Sequence, residues 1–443
     1  MKKPVLLLLL GLVCTVLLLP GLQLVTGVIT EPELQGVVTV TDKCDLTADS
    51  LLSGKFQQCA SVWAGNHAGF RRTLIRINNQ VTFSLFRISP EESIVLGKDD
   101  YLFEKIYINS YLGNDYIGRA RIVDRLKRVE RFQEILKQHN VDFVLVFTPS
   151  KARILSDYLP DHLKSAGQPT NYETYCDVLS KEGSKIHFLD LNRYYQLMRD
   201  TATLPLYPKG GTHWTNYSAR RYALDTLVKF IGKVRGTPLP KMIPGEITWK
   251  DSLENPDEDI AGLLNLFFPY PSGSLPYISV NADSTGAVKP RVLAISDSYF
   301  WEFYAWGKLP YVFKSTDFWV WNSVRYPKEK YSQYPQEDLL WLKQDMLAHD
   351  VVLLMPTEQN LPTLIEFDER TFIMFDPTNP VLVALMKKRQ ERIEFYKKLI
   401  LNDKKWSDVV RQKAVVRNFT FEEMLQRDAE WMLDQEINVQ KQK

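Results

Sequence analysis

A chain of 443 residues, 45% of them hydrophobic and 12% aromatic, has the material for one large core or two to three smaller ones. Its 55 Lys and Arg nearly balance 53 Asp and Glu, a net charge of +2, so no whole-chain field points to nucleic acid or to a strongly charged membrane surface. The 10 Trp and 21 Tyr give a weak compositional hint of carbohydrate, whose rings stack on aromatic faces.

The N-terminus opens with Lys2-Lys3 and a Leu/Val-rich run from Pro4 to about Ile29. A basic flank before an apolar stretch of about 20 residues is the pattern of a membrane-spanning helix with the body exported. Pro20 and Gln23 weaken its second half, but there is no Ala-x-Ala-like cleavage site and no lipoprotein box around Cys14. We therefore expect an uncleaved single-pass anchor over 1–29, with the rest in the periplasm or outside the cell. Of the four Cys, Cys44 and Cys59 are close enough to pair in an oxidising compartment, and Cys176 is left single. The absence of CxxC pairs argues against a zinc or thioredoxin-like site.

A mixed lead-in occupies 30–95, including Arg71 to Phe86, a helix or strand entering the core. Gly97-Lys98-Asp99-Asp100 is turn chemistry between Ile94-Val95-Leu96 and Tyr101-Leu102-Phe103, a hairpin. Ile122, Leu126, Val129, Phe132 and Leu136 recur at helical spacing and predict a helix over 118–138. The apolar run Phe143 to Phe147 then ends at Thr148-Pro149-Ser150-Lys151. Helix, apolar strand and a polar loop at the strand's carboxyl end announce a parallel α/β sheet. Further strands are expected at Ile186–Leu191, Arg291–Ile295, Tyr311–Phe313 and Val351–Met355, and helices at 171–182, 193–200 and 218–234. Residues 236–288 form a Pro-, Gly- and acid-rich excursion whose one ordered-looking piece is Asp259 to Leu264. Past Pro380 the chain is charged and helical.

Two stretches carry chemistry. Gly210-Gly211-Thr212-His213-Trp214 presents a His on a loop before a helix, and Val292 to Ile295 runs into Ser296-Asp297-Ser298-Tyr299, a Ser at a strand-to-helix turn. A hydroxyl and an imidazole so placed are the parts acyl transfer needs. Either residue alone reads as ordinary structure; the pair in context reads as a site.

These pieces, with the Gly97–Phe103 hairpin, the Pro149-Ser150-Lys151 strand end and the Pro356-Thr357-Glu358 strand end, resemble in their order the alginate O-acetyltransferase family. The resemblance spans roughly residues 60–375. It implies an α/β, SGNH-hydrolase-like (flavodoxin-like) parallel sheet flanked by helices, in a catalytic domain over 96–376 with a helical extension over 377–443. The His precedes the Ser, as in that family's permuted order. It further implies transfer of acetyl groups to hydroxyls of an exported polysaccharide through an acyl-Ser298, with acetyl supplied by a membrane-bound O-acyltransferase, and no metal or other cofactor. Two departures stand out: Gly211 replaces the Asp of the family's Asp-Thr-His-Trp loop, and Ser296 the Gly of its Gly-Asp-Ser turn. The carboxylate that orients His213 is then absent or supplied elsewhere, with Asp190 and Asp297 as candidates. The Ser298 N–H and Asn322 are the candidate oxyanion donors, and Lys151, Trp214, Tyr299, Arg325 and Glu358 the candidate substrate contacts. An acetyl esterase on the same fold and a non-catalytic polysaccharide-binding scaffold are the competing readings.

Overall fold

The computed structural model describes all residues except 1–2, 37–43, 165–166, 182–183, 333–338, 368–370 and 441–443. At its centre is a six-stranded sheet. In chain order the strands are β3 (Asp142–Phe147), β4 (Phe188–Asp190), β7 (Arg291–Ser296), β8 (Ser315–Val320), β9 (Val324–Tyr326) and β10 (Val351–Met355), and their order across the sheet is β4-β3-β10-β7-β8-β9. Five strands are parallel; β9 runs antiparallel to β8, so the sheet is mixed where a parallel one was expected.

Both faces of this sheet are covered, which is why its central strands read as unbroken apolar runs. Val144, Val146, Ala294 and Leu353 face one layer, with Leu227, Val228 and Ile231 of the helix Asp225–Arg235. Phe143, Leu145, Leu293, Val352 and Leu354 face the other, against Ile122, Leu126, Val129, Phe132 and Leu136 of the helix Arg119–Gln138. From β3 the chain steps outward to β4, and from β7 it steps the opposite way to β8; β10 enters last between them. In open α/β sheets such a reversal puts the binding crevice at the carboxyl ends of the strands, here β3, β7 and β10.

The segment Tyr311–Phe313 is not a strand. Pro310 opens a 3-10 turn over Leu309–Tyr311, and the strand begins only at Ser315. Proline cannot donate to a ladder, so pairing starts beyond it. The excursion 236–288 holds more order than its composition suggests. There β5 (Lys241–Lys250) and β6 (Leu275–Asp283) pair antiparallel, with an irregularity between Pro244 and Ile247. Most of β5 is exposed, so it shows no inside-outside alternation to read. The expected hairpin is present as β1 (Ile94–Leu96) and β2 (Leu102–Glu104), and Arg71–Phe86 is a helix. Phe83, Leu102, Ile260, Leu264 and Tyr270 form a small core that ties this helix, the hairpin and the excursion together.

Lys3–Thr26 is one helix, long and apolar enough to cross a membrane; a signal sequence meets the same description. Cys44 and Cys59 are disulfide-bonded, and Cys176 is free and half-buried. The last three helices, Pro380–Asn402, Lys404–Arg417 and Phe421–Gln440, share their own core through Ile393, Ile400, Val410, Leu425 and Leu433.

Candidate active site

The nucleophile candidate is delivered by β7. Ser296 is fully buried and its hydroxyl donates to the Met355 carbonyl at 2.8 Å, so the strand end is stitched to β10. Asp297 follows, fully buried, and accepts four hydrogen bonds: from the Tyr299 N–H (3.2 Å), the Thr357 N–H (2.7 Å), the Thr357 hydroxyl (2.7 Å) and the Asn360 amide (2.8 Å). It caps the 3-10 turn Ser298–Phe300 and locks it to the end of β10. Ser298, the first residue of that turn, is left half-exposed at the crevice.

The His loop is fixed through its backbone. Every carbonyl from Lys209 to Thr212 is satisfied, as buried backbone requires. Lys209 O accepts from the Leu102 N–H (2.9 Å) and the Lys151 ammonium (3.0 Å). Gly210 O accepts from the Ala261 N–H (2.8 Å), Gly211 O from Lys151 (2.6 Å), and Thr212 O from the Tyr299 hydroxyl (2.7 Å). The Thr212 hydroxyl donates to Glu104 at 2.5 Å. His213 emerges from this frame with its ring 4.8 Å from that of Tyr299, centroid to centroid.

The imidazole joins two groups. Its Nε2 lies 2.8 Å from Ser298 Oγ and its Nδ1 2.8 Å from Asp259 Oδ2. The other oxygen of Asp259 accepts from the N–H groups of Thr212 (2.8 Å) and Ile260 (2.9 Å). A carboxylate can only accept, so it places the proton on Nδ1 and leaves the Nε2 lone pair facing the hydroxyl. Burial works against a charged His213, but the hydrogen bond and charge of Asp259, with Asp297 and Glu104 behind, outweigh it and hold the pKa above the ordinary 6.5. Beneath the loop, burial pushes the Lys151 ammonium down to about 7, against the pull of Asp259 and Glu104.

The glycines explain how Asp259 reaches the ring. A Cβ on Gly211 would sit 2.6 Å from the Asp257 carbonyl oxygen and 2.8 Å from that of Pro256; one on Gly210 would sit 2.9 Å from the Ala261 Cβ. The two glycines let the excursion pack directly on the loop. Where the resembled family has an Asp side chain, this chain has the backbone of another segment, and that segment brings the carboxylate.

Asp259 therefore occupies the place for which Asp190 and Asp297 were the candidates. Asp190 caps the helix Leu191–Met198 through the Arg193 N–H (2.8 Å) and accepts from the Tyr172 hydroxyl (3.0 Å) and Cys176. Asp297 serves the strand ends. Asn322 is committed too: it is buried and its amide donates to the Thr371 hydroxyl at 2.8 Å and toward the Glu366 carbonyl, so it does not aim at Ser298. The Ser298 N–H remains the candidate oxyanion donor, since the first N–H of a helical turn has no partner within it.

The five substrate-contact candidates are likewise turned inward, none more than 6% exposed. Lys151 holds the His loop, with Tyr101 and Phe103 beside its ammonium. Glu358 pairs with Arg153, both oxygens accepting from its Nε at 3.0 Å, and not with Lys151. Arg325 stacks on Trp319 across the β8–β9 pair. Trp214 packs between Tyr195, Tyr299 and Phe303, and Tyr299 braces the loop.

Among the described residues one group has metal-ligand geometry. Asp317, Asp345 and His349 are buried, with ligand atoms within 4.8 Å of one another. The Lys330 ammonium bonds both carboxylates, so a side chain of the protein already supplies the cation there.

Sheet, crevice and Ser–His–Asp chain define the class: an α/β protein with the constellation of a serine acyl-transfer site. Residues 94–240 match the family model described as "SGNH hydrolase-like domain, acetyltransferase AlgX". The match includes His213 and ends before Asp259 and Ser298. No curated protein matches the chain. Solved structures similar to it include Bacillus cereus PatB1 (15% identity, TM-score 0.40, 60% of this chain and 96% of that one) and the O-acetyltransferase domain of Pseudomonas putida AlgJ (18%, 0.38, 67% and 99%). Pseudomonas aeruginosa AlgX is another (14%, 0.40, 63% and 68%).

Proposed function

We propose that the protein is an O-acetyltransferase that passes an acetyl group through Ser298 to a hydroxyl of an exported polysaccharide. The observation that supports this reading is the hydrogen-bonded chain Ser298–His213–Asp259 beside a segment that matches an acetyltransferase domain. In the first half-reaction Ser298 Oγ attacks the donor's acetyl carbonyl while His213 Nε2 takes its proton. The Ser298 N–H faces the developing oxyanion, and Asp259 stabilises the imidazolium. Collapse breaks the bond to the donor's leaving group, which departs with the proton from His213. In the second half the acceptor hydroxyl gives its proton to Nε2 and attacks the acyl-Ser298. The ester forms on the sugar, and His213 returns the proton to Ser298.

The setting is read the same way. The helix Lys3–Thr26 serves as a single-pass inner-membrane anchor, and the Cys44–Cys59 disulfide suits an oxidising periplasm. A membrane-bound O-acyltransferase is the acetyl donor that this arrangement fits.

The test is direct. The purified protein is mixed with a fluorogenic acetyl ester and quenched, and its peptides are weighed. One acetyl group on the Ser298 peptide is expected, absent in Ser298→Ala and trapped longer in His213→Ala after chemical loading. An oligosaccharide acceptor should then carry the acetyl away. Acetate release without sugar acetylation would assign an esterase, and ester turnover undiminished in Ser298→Ala would remove the site from the reaction.

A further inference from the structure

The helix Arg71–Phe86 turns an apolar stripe to solvent. Leu74, Ile77, Val81 and Leu85 are 54%, 43%, 44% and 72% exposed and recur at spacings of three and four, one face of a helix. Two of its three charged residues lie toward the other side: Arg72 pairs with Glu33, and Arg76 donates to the carbonyls of Pro32 and Glu33. Phe267 and Phe268, 48% and 63% exposed with rings 5.1 Å apart, lie beside the same helix, the Phe268 N–H donating to Gln80 at 3.0 Å. An exposed apolar stripe along a helix marks an interaction surface.

Its position selects the occupant. Gly69, two residues before the helix, lies against the last turns of the apolar helix Lys3–Thr26; a Cβ there would be 2.3 Å from the Pro20 carbonyl oxygen and 2.6 Å from the Gln23 Cβ. At ~1.5 Å per residue, those 24 residues reach across a bilayer core of ~30 Å. The exposed stripe thus begins where the anchor leaves the lipid. We propose that the Arg71–Phe86 helix lies in the headgroup layer of the leaflet from which the anchor emerges, as a second, interfacial membrane contact. The proposal rests on the anchor reading. The occupant is lipid rather than a second copy because the anchored chain carries this surface to the leaflet by itself.

The contact reaches toward the active site. On the helix's inner side the Asn79 amide donates to the Leu264 carbonyl at 2.8 Å and Phe83 packs on Tyr270. Both partners belong to the segment that follows Asp259. A helix held in the interface would hold that segment, and the crevice with it, at a set height above the membrane.

The experiment uses the full chain in vesicles of phosphatidylethanolamine and phosphatidylglycerol containing a nitroxide-labelled lipid. Cys44 and Cys59 are occupied by their disulfide, so Cys176→Ser leaves Cys14, exposed on the anchor, as the single labelling site. A Cys14→Ser, Cys176→Ser background then takes Ile77→Cys, Leu85→Cys or, as a control on the exposed face of Arg119–Gln138, Glu134→Cys. Each carries an environment-sensitive fluorophore. We expect the lipid nitroxide to quench labels at 14, 77 and 85 but not at 134, with blue-shifted emission at 77 and 85. Quenching at 14 alone, with 77 and 85 open to aqueous iodide, would overturn the contact and leave the anchor standing. Labels at 77 and 85 shielded from iodide yet unquenched by lipid would mean that protein covers the stripe, and also overturn it. No quenching at 14 would remove the anchor and the proposal together.

Discussion

The two halves of the candidate site are built in opposite ways. The Ser298 half rests on regular structure: β7 and β10 lie in register, and Asp297 ties their ends with three hydrogen bonds and caps its own turn with a fourth. The His213–Asp259 half rests on irregular backbone, a loop and an excursion that meet because Gly210 and Gly211 have no side chains. A parallel sheet places a strand-end residue by periodicity alone, whereas two loops meet only through particular close contacts. The first half should therefore tolerate change in its neighbours, and the second should fail when the contact between its two segments is disturbed.

The largest effect on that contact is expected from Asp259→Asn. In a serine triad the corresponding change costs as much as ~10⁴ in rate, because the amide favours the wrong tautomer and no longer stabilises the imidazolium. Ester turnover should fall by about 10²–10⁴-fold. The pH profile carries a second signature. His213 acts as a base when neutral, so activity is lost as pH falls through its pKa. Asp259 holds that pKa above 6.5, so the acid limb of the wild type should lie above 6.5. In Asp259→Asn, burial is less opposed and the limb should move to lower pH. Unchanged turnover and an unmoved limb would break the comparison at its weaker half.

Next in size is Gly211→Asp, which restores the residue of the resembled family's loop. From sequence it reads as a repair. In the structure its Cβ would fall within 2.6–2.8 Å of the Asp257 and Pro256 carbonyl groups, so the excursion must shift. Overpacking of this kind costs about 1–3 kcal/mol. A shift of 1 Å at a reacting group can cost on the order of 10² in rate. Melting temperature and turnover should both fall, and a faster enzyme would show that the Asp259 contact does not limit the reaction.

How much of this was legible follows from the same contrast. The strands at 143–147, 291–295 and 351–355 are apolar because both faces are covered, and such a run can be read directly. Ser298 and His213 stood out because strand-end Ser and Gly-flanked loop His are local patterns. Asp259 did not, although the short ordered piece it opens was visible. Glu254, Asp257, Glu258 and Asp259 crowd one loop, and nothing local says which of them meets a ring 46 residues back. The burial of the five candidate substrate contacts was illegible for a related reason. A place at a strand's carboxyl end or beside a reactive residue does not say whether a side chain faces outward or is turned into the protein, and all five are buried.

The smallest expected effect sharpens the comparison from the regular side. Asp190 ends β4, a strand of the sheet, and was a candidate partner for His213 on that ground. Its carboxylate instead caps the next helix through Arg193 and accepts from Tyr172. Asn caps a helix about as well as Asp. Asp190→Asn should then keep the cap and weaken only the hydrogen bonds from Tyr172 and Cys176, a loss on the order of 1 kcal/mol. Denaturant unfolding should show that small loss, and ester turnover and its acid limb should stay where they are. Measured beside Asp259→Asn, the pair separates a carboxylate that stabilises a strand end from one that orients the imidazole. If Asp190→Asn lost turnover as steeply as Asp259→Asn, the hydrogen-bonded chain through the excursion would not be the one that carries the reaction, and the orienting carboxylate would have to be sought at the sheet edge.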